Sequence, residues 1–160
     1  MRAPTNSSML KLVFACTCFL LAGCSAVANL LPWHTQTTRL SSVRVAAPPG
    51  ANLNSATALD LVYVYNTASI AMLPKTGPDW FSQKIALQNG LGLAIDIVSL
   101  QVPPATVIDP VVLPKRASKA VAVFAFANYL APAGQARSDL TQFRRAVIWL
   151  APTQITITEQ

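Results

Sequence analysis

Side chains that could carry out catalysis are scarce in this sequence. Charged residues make up 11% of its 160 residues, well below the roughly 25% of an average soluble domain. The three cysteines all lie within the first 24 residues, and the only histidine is His34. A hydrolase needs a nucleophile, a base and an orienting group. Because His34 is interpreted as a solvated side chain rather than a base or ligand, the sequence favours a binding or structural role over an enzyme.

The acidic residues do not indicate an active site either. A glycosidase needs two carboxyl groups held a few ångströms apart. Asp60 and Asp96 fall in predicted strands, whereas Asp79, Asp109 and Asp139 fall in or near predicted turns. Nothing in the sequence pairs them, so all five are interpreted as turn and surface acids.

Signatures of cofactor and nucleic-acid binding are missing as well. Residues 90–92 (GLG) are not followed by a predicted helix, so they do not predict a dinucleotide-binding loop. No stretch interleaves clustered Lys and Arg with aromatic residues, as nucleic-acid-binding segments do. The basic run at residues 115–119 (KRASK) is interpreted as a solvated turn, with contact to phosphate or a partner as the open alternative. We therefore expect no cofactor, metal, nucleic acid or small-molecule substrate.

The first 23 residues are organised as a secretory signal. Arg2 and Lys11 charge a polar region, and an apolar run of ten residues (LVFACTCFLL) follows it. A membrane-spanning helix needs about 20 apolar residues, so this run fits the core of a signal peptide instead. Residues 21–24 (LAGC) then match the lipobox of bacterial lipoproteins. The sequence predicts a signal peptide at residues 1–23 and lipidation of Cys24, the alternative being an ordinary signal beside a free cysteine.

Lipidation of Cys24 determines the predicted location. One acyl chain gives only marginal membrane binding, but three chains such as palmitate should hold the protein on a bilayer. Ser25 stands where inner-membrane lipoproteins of enteric-type bacteria have Asp, which favours the outer membrane with the domain facing the periplasm. Cys16 and Cys18 lie inside the signal, so no disulfide remains in the mature domain. Loss of the signal also removes two cations, which lowers the formal charge from +6 to +4.

Beyond an acylated tether at residues 24–38, residues 39–160 alternate between apolar segments and clusters of Pro, Gly and Asn, a pattern typical of strands and turns. One helical turn is predicted at residues 76–83, and a loop at residues 47–55. The competing interpretation of residues 119–129 is an Ala-rich helix. The strands are predicted at residues 40–46, 58–65, 91–102, 107–113 (an edge strand), 119–129, 143–150 and 155–158.

These segments predict an all-β fold. Strands without long intervening helices favour antiparallel pairing and a β-sandwich, here with one short helical element. Alternation in the strand at residues 143–150 places Phe143, Val147 and Trp149 on one side, with Arg145 in the same row.

The order of the segments resembles the TssJ-type lipoproteins of bacterial type VI secretion systems. In this family a lipobox, a tether and a first strand precede a loop containing Pro and Asn. The matching loop here spans residues 48–55, although it lacks the acidic residues and the Gly-Arg-Pro usual in the family. Further matches are the valine-rich strand at residues 61–65 (LVYVY), the acid-aromatic-Phe helix core at residues 79–81 (DWF), and the late strands at residues 119–129 and 145–150.

This resemblance implies a transthyretin-like sandwich and a partner, the periplasmic part of the inner-membrane protein TssM. It implies that the loop between the first two strands binds TssM through Pro48, Pro49, Asn52, Leu53 and Asn54. A stiff, exposed loop of this composition would lose little entropy on docking. The alternative is that the loop merely connects two strands.

The leading hypothesis is therefore a lipid-anchored structural component of a trans-envelope, type VI secretion complex. The second hypothesis is an unrelated envelope lipoprotein whose sandwich binds a small ligand or another envelope complex. The third, an envelope enzyme, is disfavoured because the mature domain has no cysteine beyond Cys24 and no histidine beyond His34.

Overall fold

A computed structural model describes residues 36–160 of the chain. The predicted signal peptide, the lipidation site Cys24, the sorting residue Ser25 and most of the tether lie outside the described residues. The strands within residues 36–160 are β1 (Ser42–Ala47), β2 (Thr57–Val64), β3 (Ile95–Val102), β4 (Thr106–Ile108), β5 (Ala122–Ala127), β6 (Ser138–Asp139), β7 (Arg145–Leu150) and β8 (Ile155–Glu159). The helices are α1 (Thr67–Ile70) and α2 (Gly77–Leu91). Neither of these two helices is long and apolar enough to cross a membrane.

The strands form two four-stranded sheets, ordered β4-β1-β7-β8 and β3-β2-β5-β6. The predicted β-sandwich is confirmed, and residues 119–129 contain a strand rather than a helix. One pair departs from the antiparallel pattern: β1 and β7 run parallel, with Val43 opposite Ala146. Parallel strands need a long crossover connection, and here all four strands of the second sheet lie between β1 and β7 in the sequence. The short strand β6 was not predicted.

Alternation along β2 divides its side chains between two apolar cores. Leu59, Leu61 and Tyr63 are fully buried between the sheets, where they join Val43 and Val45 of β1. The intervening side chains of β2 face the opposite way, toward α2. Val62 and Val64 form a second core there with Trp80, Phe124 and Phe126. The β3-β2-β5-β6 sheet is therefore covered on both faces.

Helix α2 is longer than the single turn that the sequence predicts at residues 76–83. The Thr76 hydroxyl caps it by accepting a hydrogen bond from the Asp79 N–H at 3.3 Å, the usual role of Thr before a first turn. The helix then continues to Leu91, which is buried against the sheet. Lys84 occupies the row that Trp80 and Leu91 turn toward the sheet, so the second half of α2 lacks the regular apolar stripe that predicts a helix.

Gly77 sits where α2 touches the sheet. Its N–H donates to the Gln135 carbonyl at 2.7 Å, and a Cβ at this position would lie 1.9 Å from the Ala127 carbonyl oxygen. Backbone atoms cannot yield as a flexible side chain does. A glycine is therefore required for this close approach of helix and strand.

We expect Gly77→Ala to lower the free energy of unfolding by about 1–3 kcal/mol, the usual cost of overpacking. Gly90→Ala is the matched control, since the same methyl group would meet nothing within 4 Å there. Gly90 lies in the last turn of α2, so this control should raise stability by at most about 0.5–1 kcal/mol, the gain expected in a helix interior. Urea unfolding of both variants measures the difference. Equal effects of the two substitutions would contradict the close approach at Gly77.

Asp60 is not the surface acid that its sequence predicts. It is 1% exposed, on the face of β2 that α2 covers. Its carboxylate accepts a hydrogen bond from the Trp80 indole N–H at 2.8 Å and pairs with the Lys84 ammonium at 2.7 Å. Trp80 also stacks on Phe126, with ring centroids 4.8 Å apart. The carboxylate thus fixes two turns of α2 on the sheet.

Asp96 is likewise engaged rather than free. The Arg116 guanidinium donates two hydrogen bonds to it, each 2.9 Å long, and these lower the pKa of Asp96 below its ordinary value of 3.8. The Tyr65 hydroxyl adds a third at 2.7 Å. Arg116 also lies over the Tyr65 ring, 3.9 Å from its centroid. This cluster joins the end of β2 to the connection between β4 and β5.

Candidate partner-binding surface

Four connections meet at one end of the sandwich. The strand pairing shows this, because residues next to these connections lie opposite one another in the sheets. The pairs are Ala47 with Thr106, Thr57 with Val102, Leu59 with Ala127 and Leu150 with Ile155. We call this end the loop end. The opposite end, where residues 36–41 lead into β1, is the tether end. The loop end comprises the β1–β2 loop (residues 48–56), the β3–β4 loop (103–105), the β5–β6 loop (128–137) and the β7–β8 turn (151–154).

The loop end is almost free of charge. Its four connections contain a single charged residue, Arg137. That guanidinium lies over the Phe124 ring, 4.1 Å from the centroid, on the side of the sheet that the helices cover. The rest of the loop end consists mainly of Pro, Ala, Gly and Asn, with a few large apolar residues and the uncharged polar residues Ser55, Gln135, Thr153 and Gln154.

Asn52 holds three of these connections together. Its side-chain oxygen accepts from the Leu130 N–H at 2.8 Å, and its amide group donates to the Asn128 carbonyl at 3.3 Å. Its backbone N–H donates to the Ala151 carbonyl at 3.2 Å. With 1% of its surface exposed, Asn52 is not available to touch a partner. The resemblance placed it among the contact residues, but its buried position makes it a positioning residue.

Tyr129 provides a second link within the loop end. Its hydroxyl donates toward the Ala151 carbonyl at 2.7 Å, and burial raises the pKa of this hydroxyl to about 12. The hydroxyl therefore keeps its proton as a donor at any physiological pH. The Gln135 side-chain amide donates in turn to the Tyr129 carbonyl at 2.9 Å. The β5–β6 loop is thus attached to the β7–β8 turn.

Leu53 is displayed on a strained backbone. Asn52, Leu53 and Asn54 have φ angles of 46°, 55° and 65°, the left-handed region that costs a residue with a side chain roughly 1–2 kcal/mol. Asn tolerates this region better than Leu does. The Leu53 N–H donates to the Pro152 carbonyl at 3.1 Å, while its side chain is 55% exposed. Strain of this kind is concentrated at functional sites, where surrounding contacts impose it.

Pro48 and Pro49 extend the exposed apolar area onto the outer face of the adjoining sheet. They line a depression together with Val107 and Trp149, which are 55% and 43% exposed. The depression holds about 280 Å³, slightly less than the roughly 300–1,000 Å³ of small-molecule pockets. Apolar side chains of a protein partner suit it better than a cofactor does.

The structure brings four of the five predicted contact residues to the surface at the loop end: Pro48, Pro49, Leu53 and Asn54. Sequence reasoning missed Trp149 and Val107. Alternation in β7 did place Trp149 on the same face as Arg145. A charged residue in that row indicates the solvent face of a strand, which is the signal that could have identified Trp149 as exposed.

No protein-family model matches the chain, and no curated protein matches it. Solved structures of type VI secretion proteins do have its fold. The lipoprotein TssJ1 from Pseudomonas aeruginosa aligns over 74% of this chain and 94% of its own, with a TM-score of 0.57 and 14% identity. The membrane-bound component Lip from Serratia marcescens aligns over 74% and 96%, with a TM-score of 0.51 and 12% identity.

A third structure, described as the C-terminal domain (869–1107) of the type VI secretion protein TssM from EAEC, aligns over 73% of this chain and 98% of its own. Its TM-score is 0.51 and its identity 13%. Identities this low establish the fold alone. The described part of the chain thus has the sandwich fold of the TssJ-type lipoproteins, as the order of its sequence segments predicted.

Proposed function

We propose that this protein is the outer-membrane lipoprotein of a type VI secretion membrane complex. In this proposal, acylated Cys24 anchors the chain in the outer membrane, and the sandwich faces the periplasm. The loop end then binds the periplasmic part of the inner-membrane protein TssM. The protein acts as a structural link between the two membranes and carries out no catalysis.

The anchoring part of the proposal rests on the sequence. A charged start, an apolar run of ten residues and the LAGC lipobox occur in the required order before Cys24. Anchoring through acyl chains needs no membrane-spanning helix. Ser25, which replaces the Asp of inner-membrane lipoproteins, supports the outer membrane as the destination.

The binding part rests on one observation above all, the exposed Leu53 held on a left-handed backbone in a loop end that is almost free of charge. The cores of protein interfaces are depleted in charged residues and enriched in large apolar ones. A loop whose conformation is already imposed by Asn52 loses little entropy when a partner docks. Leu53 and Trp149 are the two exposed side chains of this end that we expect to act as anchors in the interface.

The direction of β1 supports the proposal, because the chain enters the described domain at the end opposite to the proposed binding surface. The chain enters β1 at the tether end and leaves it into the β1–β2 loop. A strand of six residues spans about 20 Å at 3.3 Å per residue. The loop end therefore lies at the far end of β1 from residues 36–41, and in this proposal it is the end that meets the inner-membrane partner.

We expect Leu53→Asp to weaken binding to the TssM periplasmic domain at least 30-fold, which corresponds to about 2 kcal/mol, the threshold of an interface hot spot. Asp is chosen because it tolerates the left-handed backbone at this position. Isothermal titration of the two purified proteins measures the affinity, using the mature chain with Cys24→Ser.

Leu93→Asp is the matched control for charge and size. Leu93 is 86% exposed and precedes β3 at the tether end, so this variant should bind TssM as the parent does. Equal affinity of both variants would remove the β1–β2 loop from the interface. Failure of the parent chain to bind TssM at all would contradict the proposed function itself.

We expect Cys24→Ser to abolish labelling with radioactive palmitate and to release the chain from the membrane fraction into the periplasm. Secretion should then fall to the level of a deletion strain, although the domain remains folded. Fractionation together with a secretion assay reads both effects. Full secretion by a chain that is exported and unacylated would contradict the anchoring role.

A further inference from the structure

Positive charge is concentrated at the tether end of the sandwich. Six of the ten Lys and Arg in residues 36–160 lie there, against three of the six acidic residues. The tether end therefore has a net charge of +3, out of a net charge of +4 for residues 36–160. The six cations are Arg39, Lys115, Arg116, Lys119, Arg144 and Arg145, and the three acids are Asp96, Asp139 and Glu159.

Backbone hydrogen bonds gather the basic segments around the incoming chain. The Thr38 N–H donates to the Ala120 carbonyl at 2.7 Å, directly after Lys119. The Ser41 N–H donates to the Arg144 carbonyl at 2.8 Å. Arg39 and Arg144 line one depression together with Gln142 and Glu159. The cations from three separate segments thus surround the point at which the tether reaches the fold.

Most of these cations remain available to a ligand. Arg116 is paired with Asp96, and the Glu159 carboxylate accepts from the backbone N–H groups of Arg144 and Arg145. The side chains of Arg39, Lys115, Lys119 and Arg144 are exposed and make no ion pair with another described residue.

We propose that the tether end rests on an anionic phospholipid surface, which its exposed cations recognise through the headgroup phosphates. The proposal rests on the anchoring of Cys24 in the outer membrane. Cys24 precedes Gln36 by 12 residues, a span of at most about 40 Å. The tether therefore keeps this face at a high effective concentration beside the bilayer, where even a weak attraction suffices.

Such an attraction would orient the domain as well as hold it. Basic residues near an anionic bilayer are drawn to it within about one Debye length. The four connections of the loop end contain no exposed cation, and only Lys75 is exposed beside them. The tether end then faces the lipid and Leu53 faces the periplasm. Orientation by charge adds a second membrane signal to the acyl chains, as stable anchoring commonly requires.

The test uses the mature chain with Cys24→Ser, so that acylation plays no part in the result. Co-sedimentation is measured with vesicles of phosphatidylcholine alone and of phosphatidylcholine mixed with phosphatidylglycerol, at low salt. We expect preferential binding to the anionic vesicles and its loss as salt is raised. Comparing the two vesicle types also accounts for apolar contacts from Leu30, Leu31 and Trp33 in the tether.

The matched variants are Lys119→Gln at the tether end and Lys75→Gln beside Gly77, near the loop end. Each removes one exposed lysine, yet Lys119→Gln should weaken binding to anionic vesicles roughly fivefold and Lys75→Gln less than twofold. Lys115→Gln/Lys119→Gln should weaken it roughly 25-fold. Equal effects of the two single variants would overturn the proposal.

Equal binding of the parent chain to both vesicle types would also overturn it, and would assign the basic face to an acidic protein partner instead. Neither result would affect the proposed function, which fails only if Cys24 is not acylated or TssM is not bound.

Discussion

Asp60→Ala is expected to lower the free energy of unfolding by about 3–5 kcal/mol, since it removes one partner of a buried ion pair. The Lys84 ammonium would remain in a mostly covered position without its carboxylate, and the Trp80 indole N–H would lose its acceptor. Both groups lie on α2, so the helix should loosen from the sheet. Urea unfolding gives the free energy, and tryptophan fluorescence reports the environment of Trp80 when Trp33 and Trp149 are replaced by Phe in both parent and variant.

Asp109→Ala is the control for the loss of a carboxylate. Asp109 and Arg44 form an ion pair 3.5 Å long with 41% and 37% of their side chains exposed, and exposed pairs contribute at most about 1 kcal/mol. The variant Asp60→Leu/Lys84→Met should recover much of the stability lost in Asp60→Ala, since apolar residues often replace a buried pair without loss. A cost below about 1 kcal/mol for Asp60→Ala would show that water reaches the carboxylate and that α2 does not seal it.

Asn52→Ala is expected to lower the free energy of unfolding by about 2–3 kcal/mol and the affinity for TssM at least tenfold. Two side-chain hydrogen bonds are lost, each leaving a group to be resolvated. Alanine also fits the left-handed backbone at φ 46° less well than Asn does. With the three connections released from one another, Leu53 would no longer be held in its binding position.

Asn52→Gly separates the two causes, because glycine adopts the left-handed region freely but makes no side-chain bond. It should retain more stability than Asn52→Ala, while its affinity for TssM falls to a similar extent. Hydrogen exchange at the Leu53 and Leu130 amides should accelerate in both variants. Unchanged exchange at Leu130 would show that Asn52 does not position the loop end.

The strands of this protein are well predicted because their patterns are local. Residues 58–65 combine β-branched and aromatic side chains between two turn signals, and β2 occupies Thr57–Val64. Residues 155–158 alternate strictly, and β8 occupies Ile155–Glu159. The parallel pairing of β1 with β7 could not be predicted from local patterns in the same way. It depends on which strands far apart in the sequence come together, and no local pattern indicates which ones will pair.

The extent of α2 and the burial of Asp60 were missed for a common reason. An isolated Asp in a strand normally indicates the solvent face. Here α2 covers that face and supplies Lys84 and Trp80 to the carboxylate, a contact between residues 20 or more positions apart. Because Lys84 interrupts the row of apolar residues that α2 turns toward the sheet, the sequence did not indicate a helix long enough to cover Asp60.

The candidate site was located by resemblance more than by residue chemistry. Pro48 and Pro49 indicate an exposed loop by themselves, and Leu53 between two Asn residues suggests a turn. The distinction between Asn52, which faces inward, and Asn54, which faces outward, depends on the β5–β6 loop and β7–β8 turn that close over it. Sequence alone cannot make that distinction, since both residues are Asn in the same short loop and both adopt the left-handed conformation.

The position of β1 has a mechanical consequence. Hydrogen bonds join β1 to β4 on one side and to β7 on the other, and its two ends lead to the tether and to the β1–β2 loop. With residue 24 anchored and a partner held at that loop, as proposed, tension between them would run along the backbone of β1, because the two attachment points flank the same strand; the hydrogen bonds to its neighbours lie transverse to this direction. The load would therefore be carried by the covalent bonds of this one strand, and no hydrogen bond to β4 or β7 would have to open for force to pass from one end of the domain to the other.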